Sequence, residues 1–114
     1  MKANITSAHL SEPLTVQVLR WPWQRARGYL LRPAPARDEG LLFLYRSPRV
    51  RHVHMLGVKF PLGIVWLGAE GKVLGVALAK PSRLYASPAP VMAFLEIHPA
   101  RIAEFRLGDI VAWR

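Results

Sequence analysis

Short stretches of this chain alternate apolar and polar residues, and proline or glycine bounds nearly every one. From Leu14 to Trp21 the order Leu-Thr-Val-Gln-Val-Leu-Arg-Trp sets Thr15 and Gln17 opposite Val16 and Val18, the period of two of a half-buried strand. Pro22 ends it. Trp23 to Leu31 carries Gln24, Arg25 and Arg27 among apolar residues at spacings that suit a short helix interrupted by Gly28. Pro33 and Pro35 offer no N–H to a ladder, so 33–40 is predicted to be a loop. Leu41 to Tyr45 is a continuous apolar run of strand length. Beyond Ser47-Pro48, Arg49 to Leu56 alternates again, with Val50, His52 and His54 on one face and Arg49, Arg51, Val53 and Met55 on the other.

The runs Leu62–Leu67 and Val73–Leu78 flank Ala69-Glu70-Gly71-Lys72 and predict a hairpin, with glycine supplying positive φ at the turn. Pro81 to Pro90 reads as a second proline loop and Val91 to Ile97 as a strand. Pro99 suits the first position of a short helix ending near Leu107, because its missing N–H has no partner there. Gly108-Asp109 then turns into a last strand, Ile110 to Trp113. The expectation is an all-β, β-dominated fold: a small antiparallel sandwich or barrel of about six to eight short strands, one or two short helices and no βαβ alternation. Residues 1–114 are expected to form a single domain, since the two proline loops are too short for linkers.

At 52% hydrophobic residues the chain can bury a core, and wholesale disorder is excluded. The absence of cysteine removes disulfides, thiolate metal sites and cysteine nucleophiles together. The start of the chain has no apolar core of a secretory signal, and the longest uncharged apolar stretch, Phe60 to Ala69, is about half of a membrane span. A cytoplasmic, soluble protein without a membrane contact, monomeric or homodimeric, is expected.

Charge changes the picture most. The formal net charge is +9, and eight of the arginines lie between Arg20 and Arg51 against only Asp38 and Glu39. Aromatic residues interleave with them in Arg20-Trp21-Pro22-Trp23-Gln24-Arg25-Ala26-Arg27-Gly28-Tyr29. Guanidiniums contact phosphates and aromatic faces stack bases, so nucleic acid is one candidate partner and an acidic protein another. The plainer alternative makes the arginines solvated edges and places Trp21 and Trp23 in the core.

Four further features bear on chemistry. His52 and His54, two apart on a strand, would project from one face, and His98 or His9 could join them as nitrogen ligands of a cupin-like metal site. The glutamate that such a pattern expects a few residues later is missing, because the next acid is Glu70. Glu96 sits within an apolar strand, where a carboxylate needs a partner such as an arginine. Asp109, after Gly108, suits a turn whose backbone N–H groups it would bond. Ser82 and Ser87, beside Tyr85, suit turn roles, and no serine sits in a nucleophile elbow. With no phosphate loop or dinucleotide fingerprint, no cofactor and no catalytic residue is assigned. The expected role is a small non-catalytic binding or accessory domain. Its candidate ligand or partner surface comprises Arg25, Arg27, Arg32, Arg49, Arg51, His54, Glu96 and Asp109.

The order of several blocks resembles a known family. Arg27-Gly28-Tyr29-Leu30-Leu31-Arg32, Glu39-Gly40-Leu41-Leu42-Phe43 and His54-Met55-Leu56-Gly57-Val58-Lys59-Phe60-Pro61-Leu62 are similar to successive blocks of the bacterial and archaeal family called domain of unknown function 192. Glu70-Gly71-Lys72-Val73, Phe94-Leu95-Glu96-Ile97 and Leu107-Gly108-Asp109 continue the likeness, which spans roughly 25–111. The resemblance implies a compact, mostly β domain and supplies no activity. It also exposes departures: one branch has tryptophan, methionine and a Lys-Asn-Thr run across the His54 to Val58 block. The nearer branch has threonine where this chain has Met55, and both have aspartate where it has Gly63. Chemistry that depended on that carboxylate would be lost here.

Overall fold

A computed structural model describes all residues from Met1 to Arg114. Nine strands form: β1 Lys2–Thr6, β2 Leu14–Leu19, β3 Glu39–Arg49, β4 His52–His54, β5 Leu62–Leu67, β6 Val73–Ala79, β7 Leu84–Ala86, β8 Val91–Ile97 and β9 Ala112–Trp113. One α-helix, α1, covers Pro22–Arg27, and a 3₁₀ segment covers Pro99–Glu104. Seven strands make one sheet in the order β6-β5-β8-β3-β2-β1-β9, while β4 and β7 pair as a separate ribbon. The arrangement is sandwich-like and no barrel closes.

The expected all-β architecture is present, with three corrections. The sheet is mixed, because β2 runs parallel to β3, with Val16 opposite Gly40 and Val18 opposite Leu42. The α1 segment is therefore a crossover, and a βαβ connection exists where none was expected. Parallel neighbours cannot be joined by a tight turn, so the 19 positions between Leu19 and Glu39 have to carry the chain back. β1 was not expected, since its five residues mix polar and apolar types, yet Ala3 and Ile5 alternate inward. β7 lies inside the predicted proline loop and is held by pairing with β4, His52 opposite Ala86 and His54 opposite Leu84.

The Leu62–Leu67 and Val73–Ala79 hairpin forms as expected, with φ of 77° at Gly71 and also 59° at Glu70. Helix α1 is shorter than predicted and stops before Gly28, whose φ is 48°. The Gln24 side chain accepts hydrogen bonds from the backbone N–H groups of Arg20 and Trp21, closing the start of that helix. His98 caps the 3₁₀ segment, its Nδ1 accepting from the Ala100 N–H at 3.1 Å, and Pro99 occupies the first position as predicted.

The three strands at the centre, β5, β8 and β3, are covered on both faces. On one face Leu42, Val65, Leu95 and Ile97 pack with Val16, Phe105 and Val111. On the other Leu41, Phe43, Ile64, Trp66 and Phe94 pack with Tyr29, Val53, Met55 and Val58, which come from the segment after α1 and from the β4 region. Burial on both sides explains the uninterrupted apolar runs. Gly63 belongs to the first face: a Cβ there would lie 2.2 Å from Cγ2 of Ile102. Ile102 fills the space that an aspartate would need.

Arg101, fully buried, ties the covering segment to the chain just ahead of β2 and β3. Its guanidinium donates to Glu104 through Nε at 2.9 Å and Nη2 at 3.1 Å, and to the carbonyls of Pro13, Arg37 and Glu12. Glu104 also accepts from the N–H and hydroxyl of Ser11. The guanidinium of Arg101, with the two Ser11 bonds, holds the Glu104 carboxyl down at about 2. A carboxylate whose folded value is depressed stabilises the fold above its unfolded value and loses that contribution as pH falls. Arg101→Ala is expected to cost about 3–5 kcal/mol in urea unfolding, because it empties a fully buried site and leaves three carbonyls without their donor. Acid denaturation profiles should show Glu104→Gln losing less stability than the parent between about pH 4.5 and 2.

Candidate functional site

Two concave surfaces meet at helix α1. The first is a broad cleft of about 1220 Å³, walled by Arg20, Trp21, Arg25, Tyr45, Arg46, Arg49 and Arg51 on one side. The turn at 68–71, Met92 and Trp113 form the other. Five arginines thus share a concave surface with a single acid, Glu70. The ion pairs of the molecule are His9–Asp109, Arg37–Glu12 and Arg101–Glu104, so none of the five cleft arginines has a carboxylate partner.

Arg25 and Arg51 are positioned by other means. Their guanidiniums lie 4.4 and 3.7 Å from the centroid of the Tyr45 ring. Arg25 also donates to the Leu44 carbonyl at 3.0 Å and to the Arg20 carbonyl, and Arg51 donates to the Ser47 carbonyl at 2.6 Å. Burial pushes the Tyr45 phenol above its ordinary value, outweighing the two cations, so the ring stays neutral. Arg20, Arg46 and Arg49 remain exposed.

Trp21 and Trp23 are not in the core. Trp21 is 52% exposed and Trp23 68%, and their rings stack on each other at 5.5 Å with planes 2° apart. Of the four tryptophans only Trp66 is buried, because Pro22 starts the helix and turns both neighbours outward where no strand covers them. Exposed stacked indoles beside unpaired guanidiniums are the one feature of the arginine window whose plain reading the structure overturns.

The second concave surface is a small cavity of about 60 Å³ beneath α1, between β3, β8 and the β4 ribbon. It brings together Arg25, Arg27, His52, His54 and Glu96, so the histidine strand and part of the arginine window do border one space. Glu96 stands at its base, opposite Leu41 and Ile64 in register and 4% exposed. The arginine partner expected for it is absent: Glu96 makes no ion pair and its carboxyl takes part in no protein hydrogen bond. Arg25 and Arg51 are drawn instead to Tyr45 and to carbonyls. Burial alone raises the Glu96 carboxyl to about 8, so it is mostly protonated at neutral pH. The turn at Gly28 passes close over it, since a Cβ there would lie 3.4 Å from Oε1 and 3.3 Å from the Phe43 ring.

Other candidates fall elsewhere. His52 and His54 do share an exposed face, but His98 caps its own 3₁₀ segment and His9 bonds Asp109 at 2.9 Å. No group of three or more ligating side chains converges, so the three-histidine set is not assembled. Asp109 accepts from the Arg106 N–H at 3.1 Å as expected of a turn residue, and lines neither concave surface. Its bond to His9, more than that to Arg106, holds its carboxyl below the usual value. Arg32 donates to Gln17 at 3.0 Å along a separate groove. Ser87 serves its turn, accepting from the Arg51 N–H and donating to the Ala89 carbonyl. Trp113 and Arg46, absent from the predicted surface, line the cleft because β9 folds back beside β1 and because β3 continues past Pro48.

These features define a β-dominated domain with a mixed seven-stranded sheet and an arginine-rich cleft. The chain belongs to the DUF192 family, described as Uncharacterized ACR, whose family model matches residues 3–113, further at both ends than the motif blocks reach. Among solved structures, a protein from Sinorhizobium meliloti provisionally named a transcription regulator is similar, with a TM-score of 0.88 and 24% identity over 99% of this chain and 94% of that one. A protein of unknown function from Novosphingobium aromaticivorans is similar too, with a TM-score of 0.83 and 26% identity over 96% of this chain and 84% of that one. No curated protein matches the chain. No helix is long and apolar enough to cross a membrane.

The Glu96 carboxyl has a measurable consequence. An acid whose folded value is raised carries no penalty below its unfolded value, near 4.5, and a growing one until pH passes the folded value, about 8. Stability of the parent should therefore fall from pH 5 to pH 8, whereas Glu96→Gln should not show this decline. Thermal or urea unfolding should find the variant more stable at pH 8, by a margin on the order of 4 kcal/mol larger than at pH 4.

Proposed function

We propose that this domain is a non-catalytic binding module whose cleft takes single-stranded nucleic acid. The observation that carries the reading is the convergence of Arg20, Arg25, Arg46, Arg49 and Arg51, without carboxylate partners, in a cleft edged by exposed Trp21. Like charges held together repel one another, and a polyanion relieves that repulsion while releasing its own counterions. Trp21 adds an exposed ring surface next to the phosphate-binding groups, the pairing that tracks an unpaired strand without reading its sequence. A cytoplasmic setting suits the same ligand.

Fluorescence anisotropy with a labelled single-stranded oligonucleotide tests this. Affinity should fall as salt rises, the slope of log K against log salt approaching about −3.5 if all five arginines meet phosphates. Arg46→Ala with Arg49→Ala should weaken binding and make the slope shallower by about 1.4. Trp21→Ala should weaken it roughly 5- to 100-fold with little dependence on base sequence. No binding at low salt, or binding unchanged in the double arginine variant, would overturn the proposal.

A further inference from the structure

Helix α1 separates the basic cleft from the small cavity over Glu96, and the cavity has its own chemistry. It is about 60 Å³, room for a few water-sized groups and too small for a nucleobase. Its base is a buried carboxyl with no protein donor, flanked by apolar Phe43, Phe94 and Met55. Its exposed lining residues include Arg27, whose guanidinium uses only Nε, on the Leu30 carbonyl at 3.1 Å. An unsatisfied acid lies inside and an unpaired cation outside.

We propose that the cavity beneath α1 binds a compact zwitterion of the amino-acid type, its ammonium on the Glu96 carboxylate and its carboxylate on Arg27. A bare cation would meet Arg27 at the entrance and a bare anion would bring Glu96 no cation to pair with, whereas a zwitterion satisfies both. The ammonium supplies the donors that Glu96 lacks, and it does so at a largely buried carboxyl, where a charge-assisted hydrogen bond is strong. The ligand also ionises Glu96, so binding releases a proton. Arg25 and Arg27 from α1, Tyr29 after it, Tyr45 of β3, and His52 and His54 of β4 are the other titratable groups around the space, and β5 contributes none.

Protein NMR titrations with glycine, methylammonium and acetate between pH 6 and 9 test the assignment, followed at the amides of Gly28 and Ile97. Glycine should bind saturably and more tightly than methylammonium, and acetate should not bind. The apparent Kd for glycine should fall about tenfold from pH 6 to pH 7 and level off above pH 8, as the ionised fraction of Glu96 grows. Glu96→Gln should abolish binding of both amines while the variant remains folded, and Arg27→Ala should remove only the advantage of glycine over methylammonium. No saturable shift with glycine, glycine binding retained in Glu96→Gln, or acetate binding that tightens as pH falls would each overturn the proposal. Arg46→Ala with Arg49→Ala, which tests the cleft, should leave glycine binding unchanged, so the two sites can fail separately.

Discussion

Burial of β5, β8 and β3 on both faces is the constraint on which the rest of the molecule depends. A sheet packed on one side can turn its polar residues to water, but these three strands cannot, and their side chains are apolar along the buried length with one exception. That exception is Glu96. Its register between Leu41 and Ile64 buries its carboxyl at the base of the small cavity, and its charge is suppressed as a result. The two covering layers follow from the same need. The crossover with α1 and the β4–β7 ribbon close one face, and the Pro99–Glu104 segment closes the other, pinned by the buried Arg101.

Two buried ionisable residues, Arg101 and Glu96, are treated in opposite ways. Arg101 has every direction of its guanidinium engaged, by Glu104 and three carbonyls, and so it acts as a structural tie. Glu96 has none of its oxygens engaged and faces a cavity. A core that satisfies one charge fully leaves the other open at a cost in stability, and such a cost is concentrated where a fold meets a ligand. Meanwhile the surface arginines at the cleft are held by ring faces and carbonyls rather than by acids, which leaves their charge uncompensated.

Much of this was legible in the strand pattern. The hairpin around Gly71, the strand Val91–Ile97, the proline-led 3₁₀ segment and the alternation of His52, Val53 and His54 all rest on local periodicity and turn chemistry, and they appear as expected. β1 and β7 were not legible, because each is short and is a strand only by virtue of its neighbour. The parallel pairing of β2 with β3 was hidden as well. Nothing in either segment records the direction of its partner, and α1 is too short to announce a crossover.

The site divides along the same line. Sequence by itself determined that the chain would be β-dominated, that positive charge would gather between Arg20 and Arg51, and that Glu96 would sit in an apolar strand, since composition and spacing are local properties. Only the tertiary structure decided that Trp21 and Trp23 face outward, that Arg32 and Arg37 leave the cleft while Trp113 enters it, and that Glu96 meets no arginine. Each of these depends on which surfaces the chain folds over. A charged side chain commits to a partner only when folding brings one within reach at the right angle, and at Glu96 the guanidiniums nearby found carbonyls and a tyrosine ring instead.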